Sequence, residues 1–397
     1  VSLPPTLTPT LAPTLADGSL LLHLGPQKTG STAIQRAMHL SRERLAGLGV
    51  FYPGPSFRPA EAGWAAMGIG SAVGRPPPRI ELWEQLVADV RATDLPRICV
   101  SDEDFARATP EAAARITADL GADRIHLVYV ARRLDKLLPS HWQERVKSRM
   151  TWSYPDFLAR MAAPDEGHWE WSMMWAAHDV ATVLDRWSAY VPREQITVVV
   201  SDEADHDLIP RTFTSMLGLP EGTLQAPADK NNRSLTYAEA EAVRRVNQVF
   251  ADNGWTGEQY WRIVQAGIAG VLKASERTAD VARPPGLPAD VLAVVDERSE
   301  AQAAAIEAAG VHVVGEPDSL RTRGRVQPET DPVDVEQVSM ELFAHVVTGA
   351  VRGALDLQRR ELKRRRRPAP GLDGVAGRDL ARELGGRVRR RIGRRSR

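Results

Sequence analysis

The sequence predicts a three-layer α/β sandwich around a central, mainly parallel sheet, with a helical extension at the C-terminal end. Three observations predict it. Apolar runs of strand length recur along the first 200 residues, at 19–24, 97–100, 124–130 and 195–200, with a weaker one at 311–314. Most are near-continuous rather than alternating, as strands covered on both faces must be. Segments with helical spacing separate them, and strand alternating with helix is the mark of this class.

Taken in order, the run at 19–24 leads into a helix pattern at 32–48, and further helix patterns occupy 80–92, 110–120 and 171–190. After 200 the chain reads as mainly helical, at 236–251, 257–277 and 289–309, with Gly286, Leu287 and Pro288 separating the last two. A linker at 321–334 then leads to an amphipathic helix that runs to about 366. The expected organisation is therefore a leader at 1–18, rich in Pro, Thr and Leu and disordered. A core domain follows at 19–320, then the linker, and at 335–397 the helix with a basic, disordered tail. The stretch 53–79 is rich in Gly, Pro and Ala without a period, which fits a lid, a binding loop or a disordered segment.

Composition narrows the function. No run of about 18 apolar residues exists, so a membrane-spanning helix is not expected, and the leader lacks the basic start of a secretory signal. The one cysteine, Cys99, sits in an apolar run and reads as a core residue, with a cytoplasmic setting as the default. The net charge of +0 hides an asymmetry. Residues 359–397 hold 16 Lys or Arg and 4 Asp or Glu, so the rest of the chain is acidic. Such a tail is expected to be a solvated end with opportunistic contact to anionic membrane, at the inner face for a cytoplasmic protein, and the acidic body argues against specific nucleic-acid binding. Only six basic residues are lysine, and Lys28 is the only lysine before Lys136, a hint that position 28 needs an ammonium.

The first strand runs into Gly25, Pro26, Gln27, Lys28, Thr29, Gly30, Ser31 and Thr32, followed by a helix. Unpaired N–H groups and the positive end of a helix dipole converge at such a turn and make an anion cradle. Thr29, Ser31 and Thr32 add hydroxyl donors, and Lys28 adds a point charge. Gly25 and Gly30 have the spacing of a Walker A loop, but Ser31 stands where its lysine must be.

Lysine two positions before the second glycine resembles instead the 5′-phosphosulfate loop of the sulfotransferases that use 3′-phosphoadenosine 5′-phosphosulfate (PAPS), in the pattern of bacterial carbohydrate-type members. The resemblance covers about 19–320 and is specific at two motifs. The second is Arg132 with Ser140 eight residues on, matching the family's 3′-phosphate site, although Leu134 stands where the family often has Pro and leaves Arg133 as a substitute for Arg132. The stretches 141–147 and 232–235 also look like bacterial members. The resemblance implies a P-loop-NTPase-like fold and PAPS as sulfonate donor. It implies a cofactor site of Gly25, Gln27, Lys28, Thr29, Gly30, Ser31, Thr32, Arg132 and Ser140.

In an in-line displacement of this kind Lys28 is expected to neutralise the bridging oxygen. No divalent metal is expected to be required. The acceptor needs a base. Carbohydrate-type members place a Glu just after the strand that here ends at Ser101, which implies Glu103, with Asp102 and Asp104 as alternatives to it. A solvated acidic turn is the bland reading, and 201–203 repeats the pattern. Trp169, Trp171 and Trp175 with His168 could line an acceptor pocket, although core packing is the favoured reading. The expected acceptor is a hydroxyl or amine of a carbohydrate, glycolipid or small metabolite. The rivals are a nucleotide phosphotransferase and a catalytically silent binding protein of the same fold.

Overall fold

A computed structural model describes residues 12–70, 76–225, 233–277, 283–325 and 335–366. Its core is one six-stranded sheet in the order β2-β3-β1-β4-β5-β6, with every pairing parallel. The strands are β1 (Leu20–His23), β2 (Val50–Phe51), β3 (Arg97–Ser101), β4 (Ile125–Ala131), β5 (Ile196–Val200) and β6 (His312–Val314). Successive side chains of the central strands enter different cores. Leu20 and Leu22 of β1 pack with Ile98, Val100, Leu127 and Tyr129 on one face. Leu21 packs with Cys99, Val128 and Val130 on the other. That two-sided burial is why the runs carry no polar alternation. Each fully buried aliphatic side chain contributes roughly 1.5–3 kcal/mol.

Helices α1 (Ser31–Leu40), α2 (Arg42–Gly47), α3 (Ala60–Met67), α4 (Glu81–Ala92) and α5 (Pro110–Leu120) belong to the first half of the chain. Then come α6 (Leu134–Val146), α7 (Tyr154–Ala162), α8 (Trp169–His178), α9 (Val180–Ser188) and α10 (Leu208–Met216). The first core is completed by α3, α4, α5 and α9, and the second by α1, α2 and α10. These are the two outer layers of the sandwich.

The third core is helical. It joins α6, α7 and α8 to α11 (Tyr237–Asp252), α12 (Gly257–Tyr260), a π-helical segment Trp261–Ile268 and α13 (Ala269–Ala274). It also takes in part of α14 (Ala289–Ala308) and of α15 (Met340–Arg366). Thus α15 is not a separate extension after a core ending at 320. Leu342 is fully buried, and Gly349 and Gly353 let the helix approach the π-helical backbone, where an added Cβ would lie 2.4 Å from it.

The expectation of a disordered leader also needs correcting over its described part. Ala12 and Leu15 are buried, and the Leu15 N–H donates to Met216 O at 2.8 Å. Two single helices foreseen from periodicity are split. Ser41 separates α1 from α2, and Asp179, which caps α9 by accepting from Thr182 N–H, separates α8 from α9. The stretch 53–79 contains α3 as well as loop, while 71–75, most of the linker and the tail beyond 366 lie outside the described residues.

Candidate active site

From β1 the chain crosses to one side for β2 and β3, then returns to β1's other side for β4, so the carboxyl ends around β1 form a topological switch point, where open α/β sheets bind ligands. The loop after β1 is held from below. His23 is fully buried and its Nδ1 lies 2.8 Å from Ser101 Oγ, which also accepts from Gln35 at 3.1 Å. Burial lowers the His23 pKa to about 3, so the ring is neutral. Its Nε2 edge lies directly beneath Gly25. A Cβ there would stand 2.1 Å from Nε2 and from Ser31 Oγ, so only glycine fits.

Two of the expected cradle hydroxyls are engaged within the loop itself. Thr29 Oγ1 donates to Pro26 O at 2.7 Å and Ser31 Oγ to Gly25 O at 2.9 Å. They shape the turn instead of donating into the cavity. Lys28 takes a positive φ of 70°, a conformation sparsely used by residues other than glycine and one that marks functional turns. Gly30, at φ 103°, precedes α1, whose N-terminus has neither a side-chain cap nor an acidic residue in its first turn. The positive helix end is therefore open to an anion.

A cavity of about 640 Å³ opens over this edge. Gln27, Lys28, Gly30 and Thr32 line it, as do Glu103, Arg132 and Ser140; Gly25 and Ser31 do not, and Thr29 instead lines a second cavity of about 380 Å³ that shares Gly30 and Arg132 with the first. Residues 112 positions apart thus face one space. Eight Lys or Arg residues line it against three Asp or Glu, which fits a polyanionic ligand. Arg132 ties the two motifs together. Its Nη1 donates to Lys28 O at 2.7 Å and its Nη2 to Glu203 at 2.7 Å. Arg133, the alternative, is turned away and forms a bidentate pair with Asp135.

The Lys28 ammonium stands 3.7 Å from Glu144. Burial lowers its pKa. Glu144 opposes that shift, and Lys147, Arg132 and Lys273 reinforce it. Glu144 itself, despite burial, is held down to about 2 by Lys147 and Lys28.

The acidic turn after β3 has a different character in each residue. Asp102 is fully buried, and its Oδ1 accepts from Arg58 at 2.8 Å and from Asp104 N–H at 2.9 Å. Asp104 accepts from Arg58, Trp64 and Arg107. Glu103, 3.3 Å from Arg58 Nη2, carries an elevated pKa of about 7, chiefly through burial. Arg58 pulls the other way, and Asp104 and Asp102 add to the rise. Asp102 Oδ1 and both oxygens of Asp104 are engaged by these donors, burial raises the Asp102 pKa as well, and Glu103 lines the cavity beside Asp104.

Sequence reasoning missed Arg58, which reaches the turn from the irregular stretch before α3. Among the family-like stretches, Arg233 lines the cavity and pairs with Glu239 at 2.7 Å, while Asn232 lies outside the described residues. The indoles divide. Trp175 is core, Trp171 is half-buried, and Trp169 lines a small adjoining cavity with its ring 4.9 Å from the Arg145 guanidinium. Cys99 is a buried core residue, and burial raises its pKa. Among the described residues, no group of three or more His, Cys, Asp or Glu is placed to hold a metal ion, and no helix is long and apolar enough to cross a membrane.

No protein-family model matches the chain, and no curated protein is significantly similar to it. Among solved structures, a sulfotransferase from Alicyclobacillus acidocaldarius is similar at 15% identity and a TM-score of 0.36, over 61% of this chain and 96% of that one. A likeness at that level carries no argument about chemistry, which rests on the residues above.

Proposed function

We propose that this chain transfers a sulfonate group from PAPS to a hydroxyl or amine of an acceptor, in the class of carbohydrates, glycolipids or small metabolites. The observation that carries the reading is that Lys28, Glu103, Arg132 and Ser140 line one cation-rich cavity at the switch point of the sheet. PAPS, as donor substrate, supplies the sulfonate on a phosphoanhydride. The uncapped N-terminus of α1 and Lys28 would hold its 5′ end, and Arg132 with Ser140 its 3′-phosphate.

Glu103 accepts the proton of the acceptor as the acceptor atom bonds to sulfur. Lys28 stabilises the charge that develops on the departing phosphate oxygen as the oxygen–sulfur bond breaks. An ammonium made less basic by burial is the better donor to that oxygen. Both residues act by position and charge, so no step calls for a protein-bound metal.

Calorimetric titration with 3′,5′-adenosine bisphosphate (PAP), the desulfonated product, tests the reading. Tight binding to the wild type and loss of affinity in Arg132→Ala are expected. Absence of PAP binding beside tight magnesium-ATP binding would sink it in favour of a phosphotransferase.

A further inference from the structure

Lysine is scarce in this chain, six of 51 basic residues, yet three of the six, Lys28, Lys147 and Lys273, line the large cavity. They gather around one carboxylate. Glu144 Oε2 lies 2.5 Å from the Lys147 ammonium and 3.7 Å from that of Lys28. Burial works to raise the Glu144 pKa, and Lys147, Lys28 and Lys273 together outweigh it. The arginines of the cavity are arranged differently. Arg58, Arg107, Arg132, Arg145 and Arg233 pair with carboxylates outside this cluster. Ser140, Glu144 and Lys147 follow one face of α6 and its C-terminal end. At 1.5 Å per residue Lys147 stands about 10 Å beyond Ser140, with the Lys28 contact at Glu144 between them. Glu144 also adds to the raised pKa of Glu103, which burial dominates, so the cluster lies on the side of the proposed base.

We propose that the acceptor is itself an anion, and that Lys147 and Lys273 hold its acid group while its hydroxyl or amine faces Glu103. The inference rests on the sulfonate-transfer reading above. There, Arg132 and Ser140 take the 3′-phosphate of the donor and Lys28 takes its 5′ end. Lys147 and Lys273 lie past that point and are not needed for the nucleotide. Once Lys28 turns to the donor, two ammonium groups remain around Glu144, a surplus of positive charge that a second anion offsets. Glu144 Oε2 already bridges two ammonium groups, so a carboxylate fits the place. Its side chain is 35% exposed and can swing aside as the acceptor enters. An ammonium is a point charge on a flexible stem and accepts a carboxylate or a phosphate alike, whereas a guanidinium fork would favour one geometry.

Calorimetry of the full chain saturated with PAP tests it, with glucose, glucuronate and glucose 6-phosphate as probes, and galactose, galacturonate and galactose 6-phosphate as a second matched set. The acids should bind about tenfold or more tightly than the neutral sugar of their set, and the stronger acid of each set tells a carboxylate site from a phosphate site. The pair Lys147→Gln, Lys273→Gln should lose that preference and keep its PAP affinity, with circular dichroism checking the fold. Glu144→Gln, which removes the internal competitor, should bind the acids more tightly. Equal binding of neutral and acidic sugars, or binding of none beside normal PAP binding, would overturn this inference alone. So would weaker acid binding in Glu144→Gln, or a fall in PAP affinity in the lysine pair, since those lysines would then serve the nucleotide. Failure of the wild type to bind PAP would instead remove the sulfonate-transfer reading, and this inference with it.

Discussion

Replacing Glu103 with Gln keeps the shape of the side chain and removes its charge. In the folded chain this carboxyl ionises at about 7 in place of the ordinary 4.5, a displacement that corresponds to about 3 kcal/mol at roughly 1.4 kcal/mol per pH unit. Because the folded-state value lies above the unfolded one, the folded chain holds the proton more tightly. The stability this provides is fully present below about 4.5 and is lost as pH climbs through about 7. Glutamine never ionises and so never loses it. Arg58 keeps Asp102 and Asp104 as partners in the variant. Glu103→Gln should therefore match the wild type near about pH 4 and exceed its unfolding free energy by about 3 kcal/mol near about pH 8.5, while sulfonate transfer is lost. Urea unfolding at the two pH values, with linear extrapolation, measures the difference. Equal stabilities at alkaline pH, or a less stable variant there, would refute the reasoning. In the wild type the same carboxyl should set an acid limb of activity near pH 7.

Gly25→Ala forces a methyl against His23 and Ser31, and a loss of roughly 1–3 kcal/mol is expected from such overpacking, together with loss of PAP binding; thermal unfolding and calorimetry check both, and an unchanged variant would contradict the geometry. Glu203→Gln removes the carboxylate that competes for Arg132. This rim pair is worth about 1 kcal/mol or less, so PAP should bind up to about fivefold more tightly. Weaker binding in that variant would show that Glu203 positions Arg132 for the ligand.

The legible parts of this fold are those decided by local pattern. Four of the strands announce themselves because both faces are buried, and α4, α5 and α14 because one face is. The loop from Gly25 to Thr32 was readable because its glycines and its lysine have local geometric reasons. What the sequence hid depends on distant partners. Strand β2 has only two residues and exists by pairing with β3. Arg58 lies in a stretch without period, and its role appears only when the acidic turn is folded beside it. Thr29 and Ser31 looked like ligand donors because hydroxyl chemistry alone does not tell an inward bond to a carbonyl from an outward one to a phosphate.

The strand order carries a last consequence. β3 and β4 flank β1 on opposite sides, each one strand spacing away, about 4.8 Å. The turn bearing Glu103 and the one bearing Arg132 are thus set about 10 Å apart, with the Lys28 loop midway between them. In the proposed reaction the sheet acts as a ruler. It places the nucleotide on the β4 side and the acceptor on the β3 side, and leaves the group in transit above β1. A chain with the same residues but β1 at the edge of its sheet would have no such midpoint.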